Sequence, residues 1–305
     1  MTSIVTSILK HTVGFLLNKG RDLVAKKLKD GDVTDQRFRN LILRELDDFK
    51  SKIDGLARKD LLASLSFFRE GIVFLYQVFD QQEAGEIAIE TTRAGVGMKE
   101  EKLTVTLPSL ASDGSKISVN TNSLPLVDKQ EMLNLNDLSE TAKQLLLDAK
   151  ERFKDARRRA IDAFSNEALK TSDRLLAMKI RILATIMEKI DCPETALESC
   201  KLCLEELHKI PVVQNCFSVE IMKSVRSWFN RNERRELIAC VCQMNYEVHR
   251  VTRIVRDDLR DQIELPFITT DHLQINPLRD SRLKEALKEF ELQDYMLEWT
   301  FGREG

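Results

Sequence analysis

The fold class this sequence predicts is all-α, and three observations predict it. There is no glycine from Ser115 to Phe301, and no proline from Met1 to Leu107. Glycine and proline are the residues that interrupt helices, one by entropy and one by a missing N–H donor. Between these limits apolar residues recur at three- and four-residue spacing. The expected organisation is an N-terminal helical bundle over 1–82, a long linker over 83–136, and a C-terminal repeat-like, α-solenoid-like helical domain over 137–300. A chain of 305 residues is long enough for two such cores.

The first expected helix covers Thr2 to Lys29. Ile4, Val5, Ile8, Leu9, Val13, Leu16, Leu17, Leu23, Val24 and Leu28 form its apolar stripe. Its other face carries Lys10, Lys19, Arg21, Lys26, Lys27 and Lys29 against a single acid, Asp22. "DGDVTDQ" ends it, without the later ligands and closing Glu of a calcium loop. Thr34 is placed to cap a second helix that runs through Leu56. A third, Lys59 to Phe79, is the most apolar and is expected at the bundle centre. No run of about 18 apolar residues predicts a membrane span.

Composition changes near Gln81. Gly85, Gly95, Gly97, Pro108, Gly114 and Pro125 fall in a stretch rich in Ser, Thr and Asn. Within it "KLTVTL" and "KISVN" alternate with period two around "SDG", as a β-hairpin would, but a lone two-stranded ribbon is marginal in water. A linker is the competing expectation.

Helical spacing resumes near Leu138. Ser139 is the expected cap of a helix to Phe164, and Ser172 starts another through Ile190. Asp191 and Glu194 have the spacing of a capping box, with Pro193 in the first turn. Pro211 and Asn232 open further helices, and a last one is expected from Ser281 to Glu298.

The stretch "DCPETALESCKLCLEELHKIP" holds Cys200 and Cys203 in a C-x-x-C. Zinc clusters need a second pair to complete a tetrahedron. Cys240 and Cys242, two apart on a helix, point away from each other. Ala196, Cys200, Cys203, Leu204 and Leu207 instead form one helical stripe, with His208 off it, so both thiols are expected to be core residues and no metal is expected. Six cysteines in a chain of this length make no disulfide scaffold, and no signal peptide is visible. A reducing, cytoplasmic setting follows.

Other patterns read as ordinary surface or core. The basic runs "RRR" (Arg157–Arg159) and "RNERRE" (Arg231–Glu236) are expected to be solvated helix faces. Leu237, Val241, Met244, Val248, Val251 and Val255 form a heptad-like stripe, so the helix 236–259 is a candidate seam for a homo-oligomer. His11, His208, His249 and His272 are scattered, and no nucleophile–base constellation is legible. Glycine-rich phosphate loops have no place in the glycine-free half. A net charge of −2 gives no footprint for nucleic acid. No cofactor is implied, and the chain is expected not to be an enzyme.

Ala184 and Ala196 stand where small residues let two helices cross, and Ala160 precedes Ala196 by a period in the mid-thirties. With Pro211 near the closing position, the segment 177–211 resembles a tetratricopeptide repeat. Met187 and Cys200 depart from the aromatics that family favours. In such a repeat the first helix lines a concave surface, so the resemblance implies that Arg181, Thr185, Glu188 and Lys189 face a binding groove. The tail "FGREG", 301–305, resembles the start of an NHL propeller repeat. The stretch from Asp162 to Cys200 is similar to helical regions of uncharacterised invertebrate, cnidarian-type proteins, a likeness that implies no activity or site.

The functional expectation is a scaffold or adaptor that binds another protein without catalysis. The alternative is a membrane-associating or membrane-permeabilising bundle. It would act through the basic amphipathic helix 2–29, with Lys10, Lys19, Arg21, Lys26 and Lys27 facing an anionic peripheral membrane surface.

Overall fold

The computed structural model of the chain describes residues 8, 16, 36–53, 55, 58–95, 138–222, 230–255, 264–270 and 272–288. These are predominantly helical, with eight α-helices and one minimal two-stranded ribbon. The all-α expectation therefore holds. The predicted hairpin in "KLTVTL…KISVN", the tail 301–305, the cap Thr34 and the end of the last helix lie outside the described residues, as do all of 2–29 except Ile8 and Leu16.

Helix α1, Gln36–Ser51, is shorter than expected at its C-terminal end. Ile42 and Leu46 are buried one turn apart on its inner face. Arg39 is buried on the same face, ion-paired to Asp80 and set 5.3 Å over the ring of Tyr76. Helix α2, Lys59–Gly95, continues sixteen residues past its expected end at Phe79, through the apparent boundary at Gln81. A single internal glycine such as Gly85 costs a helix only about 1 kcal/mol, too little to end one of this length. The Lys59–Gln81 part of α2 is also long and apolar enough, by length and composition, to cross a membrane, contrary to the expectation that no such helix exists; half of that stretch is buried inside the protein.

Helix α3, Glu140–Ser165, starts at the expected Ser139, whose hydroxyl accepts from the Ala142 N–H at 3.1 Å. Across the seam, Asp60 meets Arg159 and Glu70 meets Arg152. The numbers run in opposite directions, so α2 and α3 are antiparallel. On α2 the buried positions Leu61, Leu65, Phe68, Ile72, Leu75 and Phe79 alternate by four and three. On α3, Ala142, Leu146, Ala149, Phe153, Ala156, Ala160 and Ala163 do the same. This is a coiled-coil rhythm, with alanine at most α3 positions so that the backbones approach closely. Phe68 and Phe153 meet edge to face at 5.5 Å between centroids. Gly71 makes room for that pair: a Cβ there would lie 2.7 Å from Cε1 of Phe153.

Helix α4, Thr171–Glu188, returns antiparallel along α3, with Arg174 donating to the Phe164 carbonyl at one end and Arg157 paired to Glu188 at the other. Helix α5, Pro193–His208, follows with Pro193 in its first turn. The expected capping box at its start is not formed. Cys192, not Asp191, is the cap residue and makes no side-chain cap bond, and both Asp191 oxygens accept from Lys150 of α3, at 2.9 and 2.8 Å. Helix α6, Pro211–Met222, opens at the expected proline. Helix α7, Arg231–Val255, begins after Asn230, whose φ of 51° is a left-handed conformation Asn accepts more readily than most residues.

The C-terminal arm holds strands β1, Ile268–Thr269, and β2, Gln274–Ile275, antiparallel with Ile268 opposite Ile275. Ser281–Leu283 then forms a 3₁₀ turn capped by Asp280, and helix α8, Lys284–Lys288, begins. Buried residues from Ile8 and Leu16 through Leu287 form one continuous apolar cluster. The described helices on either side of the expected linker thus share a core.

Candidate functional site

The α4–α5 hairpin carries the residues that the repeat resemblance singles out. Ala184 and Ala196, the small residues at its crossing, are fully buried. Cys200 and Cys203 sit in the same interior with Leu204 and Leu207, and the Cys200 thiol points at the Ile182 carbonyl, 3.9 Å away. The apolar stripe predicted both placements. Burial raises each thiol above its ordinary range, so both stay protonated at neutral pH. All six cysteines are free. Among the described residues no group of three or more His, Cys, Asp or Glu side chains is placed to hold a metal ion.

Of the four expected groove positions, Thr185 is buried and the other three are half-buried and bonded to neighbouring helices. Arg181 makes a bidentate pair with Glu206 of α5. Thr185 is 1% exposed and donates its hydroxyl to the Arg181 carbonyl at 2.7 Å, so it is an interior residue. Glu188 accepts two bonds from Arg157, at 2.6 and 3.2 Å. Lys189 donates to the Ser199 hydroxyl at 2.7 Å. Arg181, Glu188 and Lys189 each bond a side chain of a neighbouring helix, and the partners in the two ion pairs stand twenty-five and thirty-one residues away, a distance that periodicity on one helix does not reveal. The membrane-surface candidates Lys10, Lys19, Arg21, Lys26 and Lys27 lie outside the described residues. Ile8 and Leu16, from the apolar stripe of the same segment, are 2% and 1% exposed in the shared core.

The second basic run also departs from a solvated face. Arg234 and Arg235 are buried and both donate to Glu220 of α6, at 2.9 and 3.2 Å. In the first run, Arg157 and Arg159 pair with Glu188 and Asp60 as inter-helix ties. The candidate oligomer seam is used within the chain: Leu237, Val241, Met244, Val248 and Val251 are all buried in its core.

Sequence reasoning missed a group of buried polar side chains between α4, α5 and α7. Lys179, His208, Asn245, Glu247, His249 and Thr252 are each 9% exposed or less. Burial lowers the Lys179 ammonium, partly opposed by Cys240 and Glu247. Burial pushes the Glu247 carboxyl up to about 7, against the pull of Arg250 and Lys179. His208, expected off the core stripe, is 2% exposed because α7 and the arm cover it, and burial lowers it to about 4. A polar residue in the last turn of an apolar stripe is the one available signal.

Surface apolar side chains mark a second feature. Leu202, Val212, Met222 and Phe267 are exposed by 37% to 59% and lie on α5, α6 and the lead into β1. The Gln214 amide donates to the Thr269 carbonyl at 2.9 Å, so Val212 and Phe267 each stand two residues from one bond joining α6 to the arm. Compared with family models, curated proteins and solved structures, the chain matches none.

Proposed function

We propose that the chain is a non-catalytic interaction module, a scaffold or adaptor that binds another protein, with the α4–α5 hairpin as a repeat-like unit of a stacked helical array. The observation that supports it best is the set of exposed apolar side chains Leu202, Val212, Met222 and Phe267 on α5, α6 and the lead into β1. Exposed apolar side chains are the usual anchors of a protein contact. Arg181, Glu188 and Lys189 then act by tying α3, α4 and α5 together rather than as a groove lining, and Thr185 by packing in the interior. Six free thiols, the buried ones held protonated, support a reducing, cytoplasmic setting. The test is affinity capture by the full chain and by a Val212→Asp/Phe267→Asp variant of unchanged helicity. Loss of the captured protein is the expected result; equal capture removes Val212 and Phe267 from the proposal.

The membrane reading stands second, supported by the basic face of 2–29 and the apolar length of Lys59–Gln81. Ile8 and Leu16 are already committed to the core, so membrane insertion would require their release. Salt-sensitive sedimentation with anionic vesicles, lost in a Lys10/Lys19/Lys26/Lys27→Ala variant, is what this reading expects.

A further inference from the structure

The ribbon of the C-terminal arm has two edges, and its register says which backbone groups each edge presents. The Thr270 N–H donates to the Leu273 carbonyl at 2.9 Å, Ile268 stands opposite Ile275, and Thr269 stands opposite Gln274. In an antiparallel ladder, hydrogen-bonded and non-hydrogen-bonded pairs alternate. The Thr270 bond makes Thr269–Gln274 a non-hydrogen-bonded pair, so the N–H and C=O of both residues point away from the ribbon. Along β1 the outward carbonyl is taken, since Thr269 accepts from the Gln214 side chain of α6 at 2.9 Å. Along β2, Gln274 is exposed, and its N–H and C=O make no hydrogen bond among the described residues.

An unpaired strand edge is a template for another strand, and proteins protect such edges with charged side chains or proline. No Lys, Arg, Asp, Glu or Pro stands in 272–276, which reads His-Leu-Gln-Ile-Asn. The opposite face of the ribbon is anchored by Ile268 and Ile275, both fully buried, so the edge is held in place. A second ribbon turned about a twofold axis presents the same edge in reverse. With Gln274 facing Gln274 of the other copy, each N–H meets the other's C=O. His272 then comes opposite Asn276, and no like charges face each other within 272–276. The Asn276 carbonyl already accepts from the Arg279 and Asp280 N–H groups, at 3.3 and 3.1 Å, so the pairing centres on Gln274 and is short.

We propose that β2 is a self-pairing edge: two copies of the chain join antiparallel through Gln274, and their ribbons form one four-stranded sheet across a twofold axis. So short a strand makes this a weak, concentration-dependent dimer rather than an obligate one. The proposal is independent of the interaction reading above, because neither Val212 nor Phe267 lies on β2.

Sedimentation equilibrium on the full chain reads it directly. The average mass should rise from that of one chain toward that of two as concentration increases, and the Gln274 amide should exchange more slowly over the same series. Gln274→Lys sets two ammonium groups opposite each other on the axis and should weaken association roughly fivefold, and Gln274→Glu should do the same with two carboxylates. An equal mixture of the two variants pairs opposite charges and should associate more tightly than either alone. Should one of them fail to fold, Gln274→Pro removes the outward N–H without taking a donor from the ladder, and should hold the chain at the mass of one copy. A native chain that keeps the mass of one copy at every concentration would overturn the proposal. Association that persists in Gln274→Pro would also overturn it, by placing the contact on another surface, as would a mixture of the charged variants no tighter than its components.

Discussion

The α2–α3 seam and the α4–α5–α7 interior are packed from different materials. The seam is alanine, leucine and phenylalanine in four-three alternation, and its ion pairs, Arg159–Asp60 and Arg152–Glu70, stand at its edges in contact with water. The other interior buries an ammonium, a carboxyl and two imidazoles among its apolar residues. An apolar seam gains from burial and responds little to pH. A polar interior is stable only while each buried group keeps the protonation state its surroundings accept. The comparison teaches that stability and sensitivity are assigned to different places in one core.

The largest expected effect breaks the seam. Phe153→Ala removes a side chain 1% exposed that fills the space above Gly71, and should cost roughly 3–5 kcal/mol in urea unfolding. Smaller loss would mean the α2 and α3 helices close over the cavity.

Next come two variants that sharpen the contrast by exposing opposite pH slopes. His208 is depressed from 6.5 to about 4, so its contribution is present above pH 6.5 and lost as pH falls toward 4. Glu247 is raised from 4.5 to about 7, so its contribution is present below pH 4.5 and lost as pH rises toward 7. Each amounts to roughly 3 kcal/mol over its full window. Between pH 4.5 and 6.5 the two nearly cancel, and the native chain should show almost constant stability from this pair. His208→Gln should become more stable as pH falls, and Glu247→Gln less stable. Urea midpoints at pH 4.5, 5.5 and 6.5 measure both, and parallel slopes in the two variants would contradict the assignment.

Gly71→Ala pits two effects against each other. Alanine adds about 1 kcal/mol of helix preference. The new methyl lies 2.7 Å from a buried ring, and such overpacking costs about 1–3 kcal/mol. The net expectation is a loss of about 1 kcal/mol, read as a lower melting temperature. Removing the α3 cap with Ser139→Ala should cost a similar ~1 kcal/mol. Breaking the exposed Lys201–Glu198 pair, 2.9 Å apart on α5, should cost under about 0.5 kcal/mol.

Local features were legible in the residues. The Ser139 cap, the prolines that open α5 and α6, and the thiol stripe on α5 each depend on neighbours within one or two turns. Long-range choices were not. Asp191 could cap α5 or accept from Lys150, and only the α3 packing decides for Lys150. Arg181 and Glu188 look like free surface until Glu206 and Arg157 are set against them. Gly85 and the polar stretch after Gln81 suggested a boundary where α2 in fact continues to Gly95. The matching four-three rhythms of α2 and α3 were present in the sequence, but forty-four residues separate the two helices, and periodicity does not say which stripes meet. His208 was hidden for the same reason, since what buries it comes from α7 and the arm.

The shared core is best tested by native-state hydrogen exchange on Phe153→Ala, followed separately for α2 and for α3 with α4. If one core spans both sides of 96–137, protection in all three helices should fall together and by the same factor. Protection lost from α2 alone, with α3 and α4 as slow as in the native chain, would show two independent cores and contradict the account.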